Sequence, residues 1–247
     1  MRNIALHKFA TEVEMRGIFS AYAYSLSSAI RKFLVSKGPD FDRKYGTVTN
    51  DWVEVADGEI PDEAFATAVR YVPSKGEVIR HICRKLPIRH EEFTFIDMGS
   101  GRGRALLLAS DFPFKEIIGV EISPQHHKIA EENIAIYRSP RQQCLEIKSI
   151  CENALGYEIP KTQLVLYLYQ PFNGNVLQGM LKNIEQAIGD KFECYLCFTA
   201  PHHNQDVIRE SGYFHLVNHV QAFASEDSWI LYANAKGADA WQSQTGK

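Results

Sequence analysis

The sequence predicts an α/β protein with a mostly parallel, Rossmann-like sheet of seven strands that ends in an antiparallel hairpin. Strand-like and helix-like segments alternate from residue 93 onward, and a glycine-rich bend follows the first strand. A short polar segment alone separates the last two strands, which indicates a hairpin. The predicted strands are 93–98, 116–122, 144–150, 163–169, 191–199, 214–223 and 228–235. The predicted helices between them are 102–112, 124–138, 174–189 and 203–211.

A helical and irregular extension is predicted at residues 1–70, ahead of a sheet domain at 71–236 and a polar tail at 237–247. The first part of the extension has no proline, and the Gly38-Pro39 pair ends it, so we expect a helix there. Its apolar side chains are expected to cover a ligand cleft or to form a homodimer contact. A shorter helix is expected after Pro73, because Val78, Ile82 and Leu86 recur every four residues.

The first strand and its bend read "FTFIDMGSGRGRALLLAS". Gly99, Gly101 and Gly103 allow a sharp turn and a close ligand approach at the amino terminus of a helix. The dinucleotide fingerprint G-x-G-x-x-G needs its third glycine one residue later, where this chain has Arg104. Asp97 would repel a pyrophosphate but would bind an ammonium group. The bend therefore favours S-adenosylmethionine as the cofactor, with Ser100 included in the site.

The following two strands supply further candidates for cofactor binding. Glu121 ends the second strand about 20 residues after the glycines, where an acid binds ribose hydroxyls, and Ile122 lies beside it. After the third strand, Asn153 offers an amide oxygen to the exocyclic amine of adenine, and the N–H of Ala154 faces a ring nitrogen. A simple turn at Asn153 is the alternative.

The fourth strand ends in Tyr169, Gln170, Pro171 and Phe172, which we predict to line the catalytic pocket around the methyl group. His202 and His203 follow the fifth strand and are candidate bases, although loop histidines are commonly surface residues. Helix 174–189 carries an apolar stripe and is expected to pack on the core.

No metal site is predicted. Cys194 and Cys197 have the spacing of a metal pair, but they lie three residues apart in a predicted strand and so point to opposite faces. The histidines do not show ligand spacing with acids, and His126 and His127 are expected to face solvent at the start of a helix. The odd number of five cysteines predicts reduced thiols and a cytoplasmic location.

Composition narrows the set of partners. The chain has 45% hydrophobic and 23% charged residues, as in soluble globular proteins. A net charge of −3 gives no reason to expect nucleic acid binding. The longest uncharged N-terminal stretch, Gly17 to Ile30, is too short and too polar to span a membrane. The net charge does not distinguish between a small molecule and a protein side chain, and either is expected as the partner.

The first strand with its bend, together with "IIGVEIS" and "LVLYLYQPF", resembles a family of bacterial class I S-adenosylmethionine-dependent methyltransferases. "FDRKYG" and "AVRYVPS" upstream are similar to the same family, so the resemblance covers most of residues 41–220. It implies that Asp97 and the three glycines form the loop around the methionine end. It also implies that Glu121 binds the ribose and that residues 169–172 form the methyl-transfer edge.

The chain departs from the family at two positions. Asn153 stands where the family usually has Asp, and Gln170 stands where it usually has Asn. Both replacements keep hydrogen-bonding capacity, so they bear on details of the site. "YVPS" is also similar to a segment that covers the cofactor in some protein-lysine methyltransferases, which makes Tyr71 a candidate cofactor contact.

These observations predict an enzyme that transfers a methyl group to N or O of an unidentified acceptor. A protein that binds S-adenosylmethionine without transferring the methyl group is the first alternative, because the same binding residues suit both. A nicotinamide-dependent oxidoreductase is the second alternative, and Asp97 and the glycine spacing disfavour it.

Overall fold

The computed structural model of the protein describes residues 41–50, 74–169, 172, 174–201, 203–222 and 228–246. Its strands are β1 (Phe93–Met98), β2 (Glu116–Glu121), β3 (Ile147–Cys151), β4 (Gln163–Leu168), β5 (Cys194–Thr199), β6 (His215–Val220) and β7 (Trp229–Ala233). Its helices are α1 (Phe41–Tyr45), α2 (Gly76–Lys85), α3 (Arg104–Ala109), α4 (Pro124–Ile136), α5 (Gly174–Ile188), α6 (Gln205–Glu210) and α7 (Ala235–Thr245).

The strands form one seven-stranded sheet in the order β3-β2-β1-β4-β5-β7-β6. The pairs from β3 through β5 are parallel, whereas β7 runs antiparallel to both β5 and β6. The predicted Rossmann-like fold and its C-terminal hairpin are thus confirmed. The chain reverses its direction along the sheet between β1 and β4, which is where ligands bind in open α/β sheets, at the carboxyl ends of the strands.

The two faces of the sheet carry different side chains. One face forms the main apolar core with Leu166 of β4, Leu196 of β5 and the stripe of α5 that includes Leu177 and Met180. Asp97 is in register with Gly119 and with Tyr167, so these residues project from the opposite face. Polar groups at the carboxyl end of that face are therefore separated from the main core by the sheet itself.

Helix α4 begins at Pro124, as the sequence predicted, and the Ser123 hydroxyl accepts a hydrogen bond from the N–H of His126 at 3.3 Å. The prediction that His126 faces solvent is wrong, because this side chain is only 2% exposed. His127 is partly buried, with Nδ1 lying 2.9 Å from the Ser149 hydroxyl. Helix α4 packs against β2 and β3, and His126 lies on the buried side of its first turn.

The C-terminal residues form a helix that the sequence did not indicate. Helix α7 begins after Asn234, whose side-chain oxygen accepts the N–H of Gly237 at 3.0 Å, and it buries Trp241. The Tyr195 hydroxyl of β5 donates to the Gly237 carbonyl at 3.1 Å. The segment predicted as a polar tail is therefore helical up to Thr245 and packs on the sheet.

All five cysteines are free thiols, and Cys194 and Cys197 are both buried on opposite faces of β5. No group of three metal-binding side chains occurs within the described residues. None of the helices in that part of the chain is long and apolar enough to cross a membrane. The predicted N-terminal helix lies outside the described residues.

Candidate functional site

The bend after β1 is held in a conformation that suits glycine. Gly99, Gly101 and Gly103 have φ values of 87°, 53° and 82°, which L-residues with a side chain rarely adopt. The N–H groups of Gly99 and Ser100 donate to the Val120 carbonyl at 2.8 and 3.1 Å. The bend is therefore fixed against the end of β2, and α3 starts directly after it.

Close contact between the bend and β2 depends on Gly119. A Cβ atom at this position would lie 2.6 Å from the Ser100 Oγ and 2.7 Å from a methyl group of Leu106. The Ser100 side chain is buried, and its hydroxyl has no hydrogen-bond partner among the described residues. Gly119 thus leaves the space that the Ser100 side chain occupies.

Asp97 lies at the carboxyl end of β1, directly before the bend, and only 4% of it is exposed. No described residue donates a hydrogen bond to its carboxylate or forms an ion pair with it. Burial, followed by the charge of Glu121, raises the pKa of Asp97 well above its ordinary value. A buried carboxylate without a donor is unfavourable unless a cationic or donating group binds next to it.

Glu121 lies at the end of β2, projects from the same face as Asp97, and is 7% exposed. One carboxylate oxygen accepts the N–H of Gly101 at 2.7 Å, and the other accepts the N–H of Ser123 at 2.9 Å. Burial raises the pKa of Glu121, and these backbone hydrogen bonds, with one from Ile122, partly oppose that rise. Each oxygen keeps a further acceptor position, which allows Glu121 to bind a pair of hydroxyl groups.

A buried hydroxyl network lies next to Asp97, and the sequence did not indicate it. The Tyr167 hydroxyl donates to the Ser74 hydroxyl at 3.1 Å, and the Thr199 hydroxyl lies 3.3 Å from that of Tyr167. The Thr199 hydroxyl has an alternative acceptor in the Leu168 carbonyl at 3.1 Å. Burial raises the pKa of Tyr167, and the charge of Asp97 adds to this rise, whereas the hydrogen bonds with Ser74 and Thr199 oppose it.

Residues 48–50, far upstream in the sequence, are joined by hydrogen bonds to Arg104 beside the bend and to α4. The Asn133 side chain of α4 donates to the Arg102 carbonyl at 2.9 Å and accepts the N–H of Val48 at 2.8 Å. Arg104 donates to the Asn50 side chain at 2.7 Å. Sequence reasoning missed Asn133, because its partners lie 31 and 85 positions away in the chain and a polar residue within a predicted helix does not identify them.

The loop predicted to hold adenine lies next to Glu121. The N–H of Glu152 donates to the Glu121 carbonyl at 2.9 Å, which places the following turn beside β2. Asn153 is an exposed residue, and its side-chain oxygen accepts the N–H of Leu155 at 2.9 Å, as in a turn. Ala154 is buried, and its N–H donates to no described residue. The adenine role of these two residues stays a prediction.

The predicted catalytic edge is described only in part. Tyr169 is partly buried at the end of β4, and Phe172 packs against the main apolar core. The Phe172 carbonyl accepts a hydrogen bond from Asn204 at 3.2 Å, and His203 is exposed. Gln170, Pro171, Tyr71 and His202 lie outside the described residues. The structure thus brings Asp97, the bend and Glu121 together.

Comparison with known proteins finds no matching family model and no matching curated protein. Solved structures that this chain resembles include three methyltransferases. A ribosomal protein L11 methylase from Lactobacillus delbrueckii subsp. bulgaricus is 18% identical, over 63% of this chain and 74% of that chain, with a TM-score of 0.44. A TehB-like SAM-dependent methyltransferase from Corynebacterium glutamicum ATCC 13032 is 13% identical, over 67% and 88%, with a TM-score of 0.44.

The third is an RNA methyltransferase from Salinibacter ruber in complex with S-adenosyl-L-homocysteine. It is 16% identical, over 66% of this chain and 92% of that chain, with a TM-score of 0.47. At identities of 18%, 13% and 16%, this similarity is one of fold.

Proposed function

We propose that this protein is an S-adenosylmethionine-dependent methyltransferase of the bacterial class I family described above. The observation that carries the proposal is the Asp97 carboxylate, which is buried beside a three-glycine bend and has no donor among the described residues. An ammonium group supplies both the positive charge and the hydrogen bonds that this carboxylate lacks. S-adenosylmethionine carries such a group on its amino-acid end.

The charges at the site disfavour a dinucleotide. Asp97 and Glu121 both lie on one face next to the bend, and the charge of one raises the pKa of the other. A pyrophosphate placed at this bend would add negative charge next to two carboxylates, which is unfavourable in a buried site. A nicotinamide-dependent oxidoreductase is therefore the weaker alternative.

The residues present fit the parts of the cofactor. Asp97 would bind the ammonium group, with Gly99, Ser100, Gly101 and Gly103 around the methionine end. The remaining acceptor positions of Glu121 would bind the ribose hydroxyls, with Ile122 beside them. Asn153, Ala154 and Tyr71 complete the proposed cofactor contacts.

When bound, the cofactor supplies an electrophilic methyl group on a sulfonium. The work of the chain is then to align an acceptor atom and to exclude water. Tyr169, Gln170, Pro171 and Phe172 are proposed to form the edge where a nitrogen or oxygen acceptor lies, on a small molecule or a protein side chain. A protein that only binds the cofactor would need the same Asp97 and Glu121, so catalysis requires its own test.

Calorimetric titration tests the cofactor. We expect S-adenosylmethionine to bind and NAD not to bind. Asp97→Asn should weaken binding by about tenfold to a hundredfold, because a charge-assisted hydrogen bond is lost. The exposed Asp206→Asn changes the net charge equally and should leave the affinity unchanged. Tight binding by the Asp97→Asn variant would contradict the proposal.

A turnover assay distinguishes an enzyme from a protein that only binds the cofactor. Incubation with S-adenosylmethionine and a cell extract should form S-adenosylhomocysteine faster with the wild type than with Asp97→Asn. Cofactor binding without product formation, over a range of extracts, would favour the non-catalytic alternative.

The five free thiols also support the proposal that the protein works in the cytoplasm.

A further inference from the structure

Asp97 and Glu121 bring two carboxyl groups to the same end of the same face of the sheet. Asp97 is in register with Gly119 on the neighbouring strand, so Glu121 projects from the Asp97 face two residues further along β2. Only 4% of Asp97 and 7% of Glu121 is exposed, so little water reaches either group. Two buried carboxylates on one face repel each other, and the ionisation of one opposes the ionisation of the other.

Hydrogen bonds determine which of the two groups keeps its negative charge. The Glu121 carboxylate accepts the N–H groups of Gly101 and Ser123 at 2.7 and 2.9 Å, and bonds of this kind stabilise the ionised form. Asp97 accepts no hydrogen bond and forms no ion pair among the described residues. The negative charge is therefore more stable on Glu121 than on Asp97, which favours a proton on Asp97.

The elements packed around Asp97 do not supply a compensating positive charge. From β4, Tyr167 lies in register with Asp97, and its phenol, with an ordinary pKa of about 10, carries no charge at neutral pH. Arg104 of α3 donates to an asparagine of the upstream segment, and Arg80 of α2 lies 2.7 Å from the Asp111 carboxylate. These arginines are therefore bound to other side chains.

Further ionisable side chains lie in the bend, in the first two turns of α2 and α4, and at the end of β3. They are Arg102 of the bend, Lys75, Glu77 and His81 at α2, His126, His127, Lys128 and Glu131 of α4, and Cys151 of β3. Within the described part of the chain, none of them pairs with Asp97 or donates to it. Burial, followed by the charge of Glu121, raises the pKa of Asp97 well above its ordinary value, in agreement with this geometry.

We propose that Asp97 carries a proton before the cofactor binds and that the ammonium group of the cofactor displaces this proton. The inference rests on the proposed function, because the ligand is S-adenosylmethionine or its product. The O–H bond of the Asp97 carboxyl breaks, the proton passes to solvent, and the carboxylate that remains accepts hydrogen bonds from the ammonium group. Asp97 thus has no unpaired charge either before or after binding, and acidic conditions weaken binding because they hold the proton in place.

S-adenosylhomocysteine is the probe, because it has the amino-acid end of the cofactor without the reactive methyl group. Calorimetric titrations would run from about pH 5 to about pH 7.5, below the ordinary α-amino pKa of about 8, so that the ligand keeps its ammonium group. At each pH, two buffers with different ionisation enthalpies give the number of protons released. We expect release to approach about one proton at the acidic end, where the affinity should rise about tenfold per pH unit.

Asp97→Asn is the decisive variant, because it keeps the shape of the side chain and cannot ionise. Its affinity should not change with pH, it should release no proton, and the wild type should approach its affinity as the pH falls. The exposed Asp206→Asn changes the net charge equally and should behave as the wild type. Infrared difference spectra should show that the band of a protonated carboxyl group disappears when the probe binds to the wild type but not when it binds to Asp97→Asn.

The possible results separate this inference from the proposed function. If the probe binds with the same affinity at every pH and the same enthalpy in both buffers, the inference is overturned and the cofactor assignment stands. Undiminished proton release in Asp97→Asn would assign the proton to another group and would also overturn the inference. Absence of binding at every pH would overturn the proposed function, and the inference with it.

Discussion

Asp97 shows how one residue links folding to ligand binding. Its carboxylate is buried without a donor among the described residues, so its ionisation is unfavourable for the folded protein. The same property makes it a selective partner for a cation. Residues of this kind reduce stability in exchange for function, and their removal commonly stabilises a protein.

The pH dependence of stability tests this role of Asp97. Burial and Glu121 raise the pKa of Asp97 above 3.8, so the folded state binds a proton more tightly than the unfolded state does. The resulting stability is present below the ordinary pKa and is lost as pH rises through the raised pKa. Asp97→Asn cannot ionise at this position, so it should become more stable than the wild type as pH rises from about 4 towards about 8.

Urea unfolding at a series of pH values measures this difference. The exposed Asp206→Asn variant controls for net charge and should follow the wild type at each pH. A difference in the free energy of unfolding between Asp97→Asn and the wild type that stays constant over the whole range would show that Asp97 ionises freely in the folded protein.

At the scale of single elements, strand β2 holds the bend in its conformation. Strand β2 contributes the Val120 carbonyl that holds the bend, the Glu121 carboxylate that binds Gly101, and the space left by Gly119. Three consecutive positions of one strand therefore act on the same loop. The conformation of the bend therefore depends on the packing of β2 against it.

Replacement of Gly119 by alanine should disturb the bend. The added methyl group would lie 2.6 Å from the Ser100 Oγ, so the wild-type packing cannot be kept. We expect a loss of about 1–3 kcal/mol in unfolding free energy. The affinity for S-adenosylmethionine should fall roughly fivefold or more, corresponding to about 1 kcal/mol or more of binding free energy.

Ile118→Val is the matched control in the same strand. Ile118 is buried in the core on the opposite face, and its truncation should cost about 0.5–1.5 kcal/mol of stability. Its affinity for the cofactor should stay at the wild-type value. Thermal unfolding would measure the stability of both variants, and calorimetry would measure their affinity for S-adenosylmethionine. If Ile118→Val also lost affinity in proportion to its loss of stability, the specific role of Gly119 would be contradicted.

The elements of the site differ in how far the sequence predicts them. Gly99, Gly101, Gly103 and Asp97 lie within seven residues, so local spacing was sufficient to identify the bend. The hydrogen bond between Ser74 and Tyr167 joins residues 93 positions apart, and it depends on strand register that the sequence does not encode locally. Local chemistry was therefore predictable, whereas the buried hydroxyl network required the folded sheet.

At the scale of the whole molecule, the C-terminal end of the chain completes the sheet. Asn234 is fully buried, and its side chain accepts the N–H of Cys194 at 3.1 Å and donates to the carbonyls of Gly189 and Phe192. Helix α7 then packs on β5, β6 and β7. The sequence did not predict this helix, because it buries only Gly237 and Trp241 and so shows no apolar stripe.

Trp241→Ala tests whether this end of the fold acts separately from the cofactor site. Trp241 is 6% exposed, and its truncation should lower the unfolding free energy by about 3–5 kcal/mol. Asp97 and Glu121 lie on β1 and β2, which β4 separates from β5, so the folded variant should bind S-adenosylmethionine with wild-type affinity. Gln242→Ala changes an exposed residue of the same helix and should alter stability by less than about 0.5 kcal/mol. Urea unfolding and calorimetry below the transition would measure both quantities, and a tenfold weaker affinity in folded Trp241→Ala would show that the two regions are coupled.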